Sequence, residues 1–144
     1  MHPFSIERID HIVLRVADLQ RSIEFYGKVF GAEVVRHNEP LGLVHLRAGT
    51  SMIDLVDLLG ELGRKGGGAA QAQKRNVDHF CLRIEPFDEA ALAAHLQSCG
   101  LTVEKAARRF GAEGYGLSLY CFDPDGNQVE LKGRSESDQP ATVS

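Results

Sequence analysis

One short strand is written twice in this chain, as "IDHIVLRV" at residues 9–16 and as "VDHFCLRI" at 77–84. Asp, His, Leu and Arg fall at identical offsets in the two copies. Internal self-similarity of this kind marks an architecture built from like units. A chain of 144 residues has room for two such units of modest size. The repeat therefore restricts the fold before any composition is considered.

The segments after the two copies are alike as well. In "ADLQRSIEFYGKVFGAEVVR", Ile23, Phe25, Tyr26, Val29 and Phe30 fall near helical spacing. Asp18 suits the N-cap, Arg21 and Lys28 the outer face, and Gly31 the stop. In "EPFDEAALAAHLQSCGLTVEK", the apolar stripe is Ala90, Leu92, Ala93 and Leu96, with Asp88 as cap and Gly100 as stop. An extended segment is expected after each helix, beginning "AEVVR" or "LTVEK". Residues 43–58 then read as two strands around Gly49–Thr50, and residues 117–133 as two strands around the turn "DPDG" at 123–126. The order β-α-β-β-β thus occurs twice. The expected division is a first module over 1–59, a Gly-rich linker over 60–76, a second module over 77–133 and a disordered tail over 134–144, all within one structural domain. The linker's Arg64, Lys65, Lys74 and Arg75 suit a solvated connection, or a mobile lid as the alternative.

Strand alternation separates two faces. Ile12, Leu14 and Val16 lie on one face of the first copy, and His11, Val13 and Arg15 on the other. In the second copy Phe80, Leu82 and Ile84 oppose His79, Cys81 and Arg83. Ile53 and Leu55 turn Asp54 outward with Met52, and Val129 and Leu131 do the same to Gln128, Glu130 and Lys132. Each half therefore presents one histidine and one carboxylate on the face away from its helix. A lone strand histidine is usually a hydrogen-bonded one. Two imidazoles and two carboxylates recurring in a repeat suit a divalent cation such as Ni, Zn, Fe or Mn. His45 is the main rival ligand, because its strand neighbours that of Asp54, yet it aligns with no histidine in the second half.

Other features exclude whole classes of function. Net charge is −4 with no long basic run, which argues against nucleic acid. No apolar run reaches the ~20 residues of a membrane span, and the N-terminus lacks the pattern of a signal peptide. Three widely spaced cysteines do not form a disulfide framework, so a reducing cytoplasmic location is expected.

These residues resemble the vicinal oxygen chelate superfamily, which holds glyoxalase I, extradiol dioxygenases, methylmalonyl-CoA epimerase, and fosfomycin and bleomycin resistance proteins. The resemblance covers residues 6–133. It is most specific in "HIVLRVADLQRSIEFYGKVFGAEVVR", which is similar to the opening of bacterial glyoxalase I, and in the ending "DPDGNQVEL". It implies an α+β fold of two tandem βαβββ modules whose mixed sheets curl around a cleft, and a homodimer. It further implies a divalent metal held by His11, Asp54, His79 and Glu130, with Glu130 also serving as the catalytic base. Asp54 stands where glyoxalase I has glutamate, one methylene longer, so it reaches a metal directly or through water. Arg15 matches an arginine that contacts glutathione in glyoxalase I. Leu58 replaces that enzyme's glutathione-contacting asparagine, which argues against glutathione here.

The leading expectation is a metal-dependent lyase or isomerase acting on a small molecule with vicinal oxygens. Metal stabilisation of an enediolate and a carboxylate base would carry the reaction. Arg15, Arg83 and Tyr120 are the expected substrate contacts. The plain alternative for the arginines is a salt bridge to Asp18, Glu85 or another nearby acid. Two further readings stand beside this one. An extradiol-type Fe dioxygenase would use His11, His79 and Glu130 as a facial triad. A non-catalytic small-molecule or antibiotic-binding protein of the bleomycin-resistance kind would need aromatic walls, for which Phe110, Tyr115 and Tyr120 are the candidates.

Overall fold

The computed structural model describes residues 2–136. The chain divides into two compact units, the first ending at Gln71 and the second beginning at Ala72. The first holds β1 (His11–Val16), α1 (Leu19–Phe30), β2 (Glu33–Asn38), β3 (Leu43–Ala48) and β4 (Ser51–Asp57). The second holds β5 (His79–Arg83), α2 (Glu89–Ser98), β6 (Ala107–Gly111), β7 (Gly114–Phe122) and β8 (Gln128–Lys132). Each unit has one four-stranded sheet, in the order β1-β4-β3-β2 or β5-β8-β7-β6. In both, the first and last strands of the unit pair in parallel and the remaining neighbours run antiparallel. The α+β fold of two βαβββ modules is therefore present, with the same strand order in each.

Local chemistry explains the elements. The Asp18 carboxylate accepts from the Arg21 backbone N–H at 3.1 Å, and Gly31 ends α1 at φ 72, a conformation that favours glycine. The helix buries Ser22, Tyr26 and Val29. They join a core of Leu14, Val16, Val44, Leu46, Ile53 and Leu55. Asp88 caps α2 in the same way, accepting from Ala91 N at 3.1 Å. That helix buries only Leu96, however. Of the expected stripe, Ala90 is exposed, and Leu92 and Ala93 are half-buried. Alanine offers little apolar area, so the period alone does not seal the face. Leu119, Cys121, Val129 and Leu131 complete the second core.

The extended segment differs between the modules. The "AEVVR" stretch forms β2, but 101–106 has no strand and β6 begins only at Ala107. The expected strand beginning "LTVEK" is therefore displaced toward the C-terminus. The Glu89 carboxylate, in the first turn of α2, accepts from Ala106 N at 3.0 Å and ties this segment to the helix.

The stretch 60–76 has two short 3₁₀ turns, Gly63–Gly66 and Ala72–Lys74. Its first part is fastened to the first module. Arg15 donates to the Gly63 carbonyl from Nε at 3.0 Å and from Nη2 at 2.8 Å, and also to the carbonyls of Gly67 and Gly68. Gly63 packs so closely that a Cβ would stand 1.9 Å from the Asp57 carbonyl oxygen. In the second unit Arg75 holds the 123–126 turn through Asn127 Oδ1 at 2.9 Å and the Asp125 carbonyl at 2.6 Å. Of the expected tail, Glu136 N donates to the Tyr115 carbonyl at 2.7 Å and its carboxylate pairs with Arg108. Residues 137–144 lie outside the described residues. Among the described residues, no helix is long and apolar enough to cross a membrane. All three cysteines are free.

Candidate metal and substrate site

Both sheets place chemistry at matching positions. In the first module Asp54 stands opposite Val13 on β1 and His45 on β3, while His11 faces Met52. In the second, Glu130 stands opposite Cys81 on β5 and Tyr120 on β7, while His79 faces Gln128. Asp54 and Glu130 therefore occupy the same register position. The neighbours of each, Ile53 and Leu55 or Val129 and Leu131, point into the core.

In the second module His79 Nε2 lies 3.2 Å from Glu130 Oε1. The other ring nitrogen, Nδ1, lies 2.7 Å from the Asp78 carboxylate. The two ring nitrogens of His79 thus face two carboxylates, Nδ1 that of Asp78 and Nε2 that of Glu130. Glu130 is only 6% exposed. Tyr120 sets its ring edge-on to His79, with centroids 5.3 Å apart, and Arg109 lies over the Tyr120 ring at 4.5 Å. The Tyr120 phenol is raised, by desolvation first and then by the charge of Glu130 and its hydrogen bond to that carboxylate. The Cys81 thiol is pushed up to about 12, by desolvation first and then by the Glu130 charge. It is thus a neutral thiol near pH 7 and a poor nucleophile.

In the first module His11 repeats the arrangement, with Nδ1 2.8 Å from the Asp10 carboxylate. Its pKa is raised, first by the hydrogen bond to Asp10 and next by the charge of Asp54. Asp10 is lowered in turn, first by its bond to His11. The direct partner of Asp54 is nevertheless His45, whose Nδ1 lies 2.9 Å from Asp54 Oδ1. Asp54 is 5% exposed, so this bond satisfies a buried carboxylate. By sequence His45 is only a rival ligand. Counting outward from the Gly49–Thr50 turn places it opposite Asp54, as the strand register does.

The two expected substrate arginines already have partners within their own modules. Arg15 holds the loop after β4 through the carbonyls of its glycines. Arg83 pairs with Glu113 at 2.6 Å and with Glu85 at 3.1 Å. The sequence by itself gives Lys132 no role, although it follows Glu130 by two residues and so shares its face.

The donor set fits a divalent metal in chemical type. It comprises imidazole nitrogens presented by Asp–His dipeptides, and buried carboxylates on strands whose adjacent residues face the core. The second module brings its two donors together, His79 and Glu130, whereas in the first Asp54 pairs with His45. Among the described residues, no group of three or more His, Cys, Asp or Glu side chains is gathered that could hold a metal ion by itself.

Comparison with known proteins agrees with the duplicated fold. The chain is 31% identical over 127 residues to the virulence protein STM3117 of Salmonella typhimurium, covering 88% of this chain and 83% of that protein. An integron cassette protein from the mobile metagenome of V. cholerae superposes with a TM-score of 0.73 at 31% identity, covering 93% of this chain and all of that one. The lactoylglutathione lyase of Agrobacterium tumefaciens superposes with a TM-score of 0.65 at 27% identity, covering 90% and 95%. The family pattern described as Glyoxalase/Bleomycin resistance protein/Dioxygenase superfamily matches residues 8–131, from just before β1 into the Glu130 strand. With that span and two copies of one βαβββ module, the chain belongs to the glyoxalase/bleomycin resistance protein/dioxygenase superfamily.

Proposed function

We propose that the protein is a metal-dependent lyase or isomerase of the glyoxalase type, acting on a small molecule with vicinal oxygens. The observation that carries this reading is the paired use of Asp–His dipeptides: His79 and His11 both set Nδ1 against the preceding aspartate, so that Nε2 is the ring nitrogen turned away from it. A carboxylate against one ring nitrogen is the usual partner of a metal-ligating histidine, whose other nitrogen takes the ion. His79 and Glu130 would hold an ion in the second module, and His11 and Asp54 stand at the equivalent positions of the first. A divalent ion bound there supplies Lewis acidity, which lowers the pKa of a C–H beside a coordinated substrate oxygen.

The chain's own residues then divide the work. Glu130 is the base: it is only 6% exposed, and its carboxylate lies beside His79 on the face away from the helix. His79 lies beside the carboxylate at 3.2 Å, and Tyr120 stands opposite it on the neighbouring strand. His45 holds Asp54 in place in the first module.

The curated relatives of this chain include a lactoylglutathione lyase, a methylmalonyl-CoA epimerase and a metallothiol transferase. Proton abstraction beside a carbonyl is the reaction class that suits a carboxylate base, and α-proton exchange is its direct measure. Protein loaded with Mn²⁺ or Ni²⁺ should wash deuterium from D₂O into the α-position of a hydroxyketone, read by NMR. Glu130→Gln should slow that exchange by about 10²–10⁴-fold while keeping the fold. Oxygen-dependent catechol cleavage in its place would move the protein to the dioxygenases. Wild-type protein that takes up no divalent metal would make it a binding protein.

A further inference from the structure

The second module contains a cavity of about 290 Å³ lined by His79, Cys81, Arg83, Glu130 and Lys132 together with the turn after β6. That is at the small end of ligand pockets. Lys132 stands out in it. The residue is only 6% exposed, yet among the described residues its ammonium has no carboxylate within ion-pair distance and no hydrogen-bond partner. Both acids of the cavity are already engaged, Glu113 with Arg83 at 2.6 Å and Glu130 with His79 at 3.2 Å. The lysine stem is buried while its ammonium opens onto the cavity, where it is a cation with no acid assigned to it.

The backbone around Lys132 is shaped for it. A Cβ on Gly111 would stand 2.7 Å from Lys132 Cε, and one on Gly116 would stand 2.8 Å from Nζ. Two bare glycines in the β6–β7 hairpin therefore leave a channel for the lysine side chain. The fold itself does not require the charge. The first module carries Val56 at the same register position, opposite Arg15, as Lys132 lies opposite Arg83.

We propose that Lys132 is the anion-recognising residue of this cavity, and that its ligand is a small molecule bearing a carboxylate or phosphonate group. Lys132 and Glu130 lie two residues apart on one face of β8, about 7 Å along the strand. The anionic group would therefore lie within a few bonds of the atom that Glu130 addresses. The proposal rests on the glyoxalase-type reading only for the statement that this ligand is the substrate.

The test is run on metal-free protein, by calorimetric titration with oxalate, methylphosphonate and the neutral oxamide. Wild-type protein should bind at least one of the two anions and not oxamide, and the anion that binds separates carboxylate from phosphonate recognition. Lys132→Met should weaken that binding about ten- to a hundredfold, and Lys132→Arg should largely restore it. A second measurement needs no variant. The bound anion should protect Lys132 of wild-type protein from reductive methylation, mapped by mass spectrometry. Unchanged anion binding in a folded Lys132→Met protein, equal binding of oxamide, no anion binding by the wild type, or no protection of Lys132 would each overturn the proposal. Failure of the metal reading shows separately, as absent Mn²⁺ uptake by the same wild-type protein.

Discussion

The two modules share one backbone plan and use it differently. At the far end of the parallel strand pair, the first module places Arg15 opposite a buried Val56, and Arg15 ties a glycine loop down by its carbonyls. At the same position the second places Arg83 opposite Lys132; Arg83 turns to Glu85 and Glu113, and a cavity remains. The carboxylates differ likewise. Asp54 is answered by an imidazole, His45, and Glu130 by a phenol, Tyr120, together with His79. Duplication thus preserves register, which backbone hydrogen bonds set, and leaves side chains on the open face free to diverge. The helix faces also diverged: α1 buries a whole tyrosine, and α2 buries one leucine.

The largest effect expected from this contrast is on stability. Tyr26→Ala should cost about 3–5 kcal/mol in urea denaturation, because a fully buried ring leaves a cavity in a close-packed core. Leu92→Ala on the poorly sealed α2 should cost about 1 kcal/mol. Equal losses would mean that the two helix faces are sealed alike.

Metal affinity provides the next comparison. Asp78→Asn and Asp10→Asn each keep the side-chain shape but remove the charge set against Nδ1 of the histidine. Competition with a chelator should show about a ten- to hundredfold loss of Zn²⁺ affinity for Asp78→Asn. A smaller loss is expected for Asp10→Asn, since His11 is the more exposed of the two histidines. Loss in one module alone would show that the duplicated dipeptides no longer serve the same end.

A smaller effect is expected at His45. Its replacement by leucine leaves Asp54 buried without its direct partner, at about 1–3 kcal/mol in the same denaturation experiment. Tyr120→Phe removes only one of the contacts to Glu130 and should cost less. The smallest change concerns Cys81, whose thiol stands at about 12. A raised thiol pKa keeps the thiolate scarce below that value, so alkylation at pH 8 should be slow. Glu130→Gln removes one of the charges that raise it, moves the pKa down and speeds alkylation, as site-resolved mass spectrometry would record. Desolvation, the larger cause, remains, so the acceleration should be modest.

The fold is legible in the sequence because its determinants are local or periodic. Alternation assigns both faces of β1, β4, β5 and β8. Asp18 and Asp88 announce two helix starts, and Gly31 and the 123–126 turn announce a helix end and a hairpin. The strand after α2 starts later than its sequence suggests, and the segment before it is tied to the helix by a contact, Glu89 to Ala106, that no local pattern announces. Of the candidate site, residue types and their open face can be read directly, but partners cannot. Sequence pairs His11 with Asp54, while the β3–β4 register delivers His45 instead.

By itself, then, the sequence determined that two like modules exist, which face of each carries imidazole and carboxylate, and which family they join. Only the tertiary structure decided that Arg15 is spent on a loop, that Arg83 is held by acids, and that the Lys132 ammonium opens onto a cavity. The physical reason is range. Periodicity and capping act over a few residues and are written in the order of side chains. Pairing of charges is settled by distances between strands and loops, which no short stretch of sequence encodes.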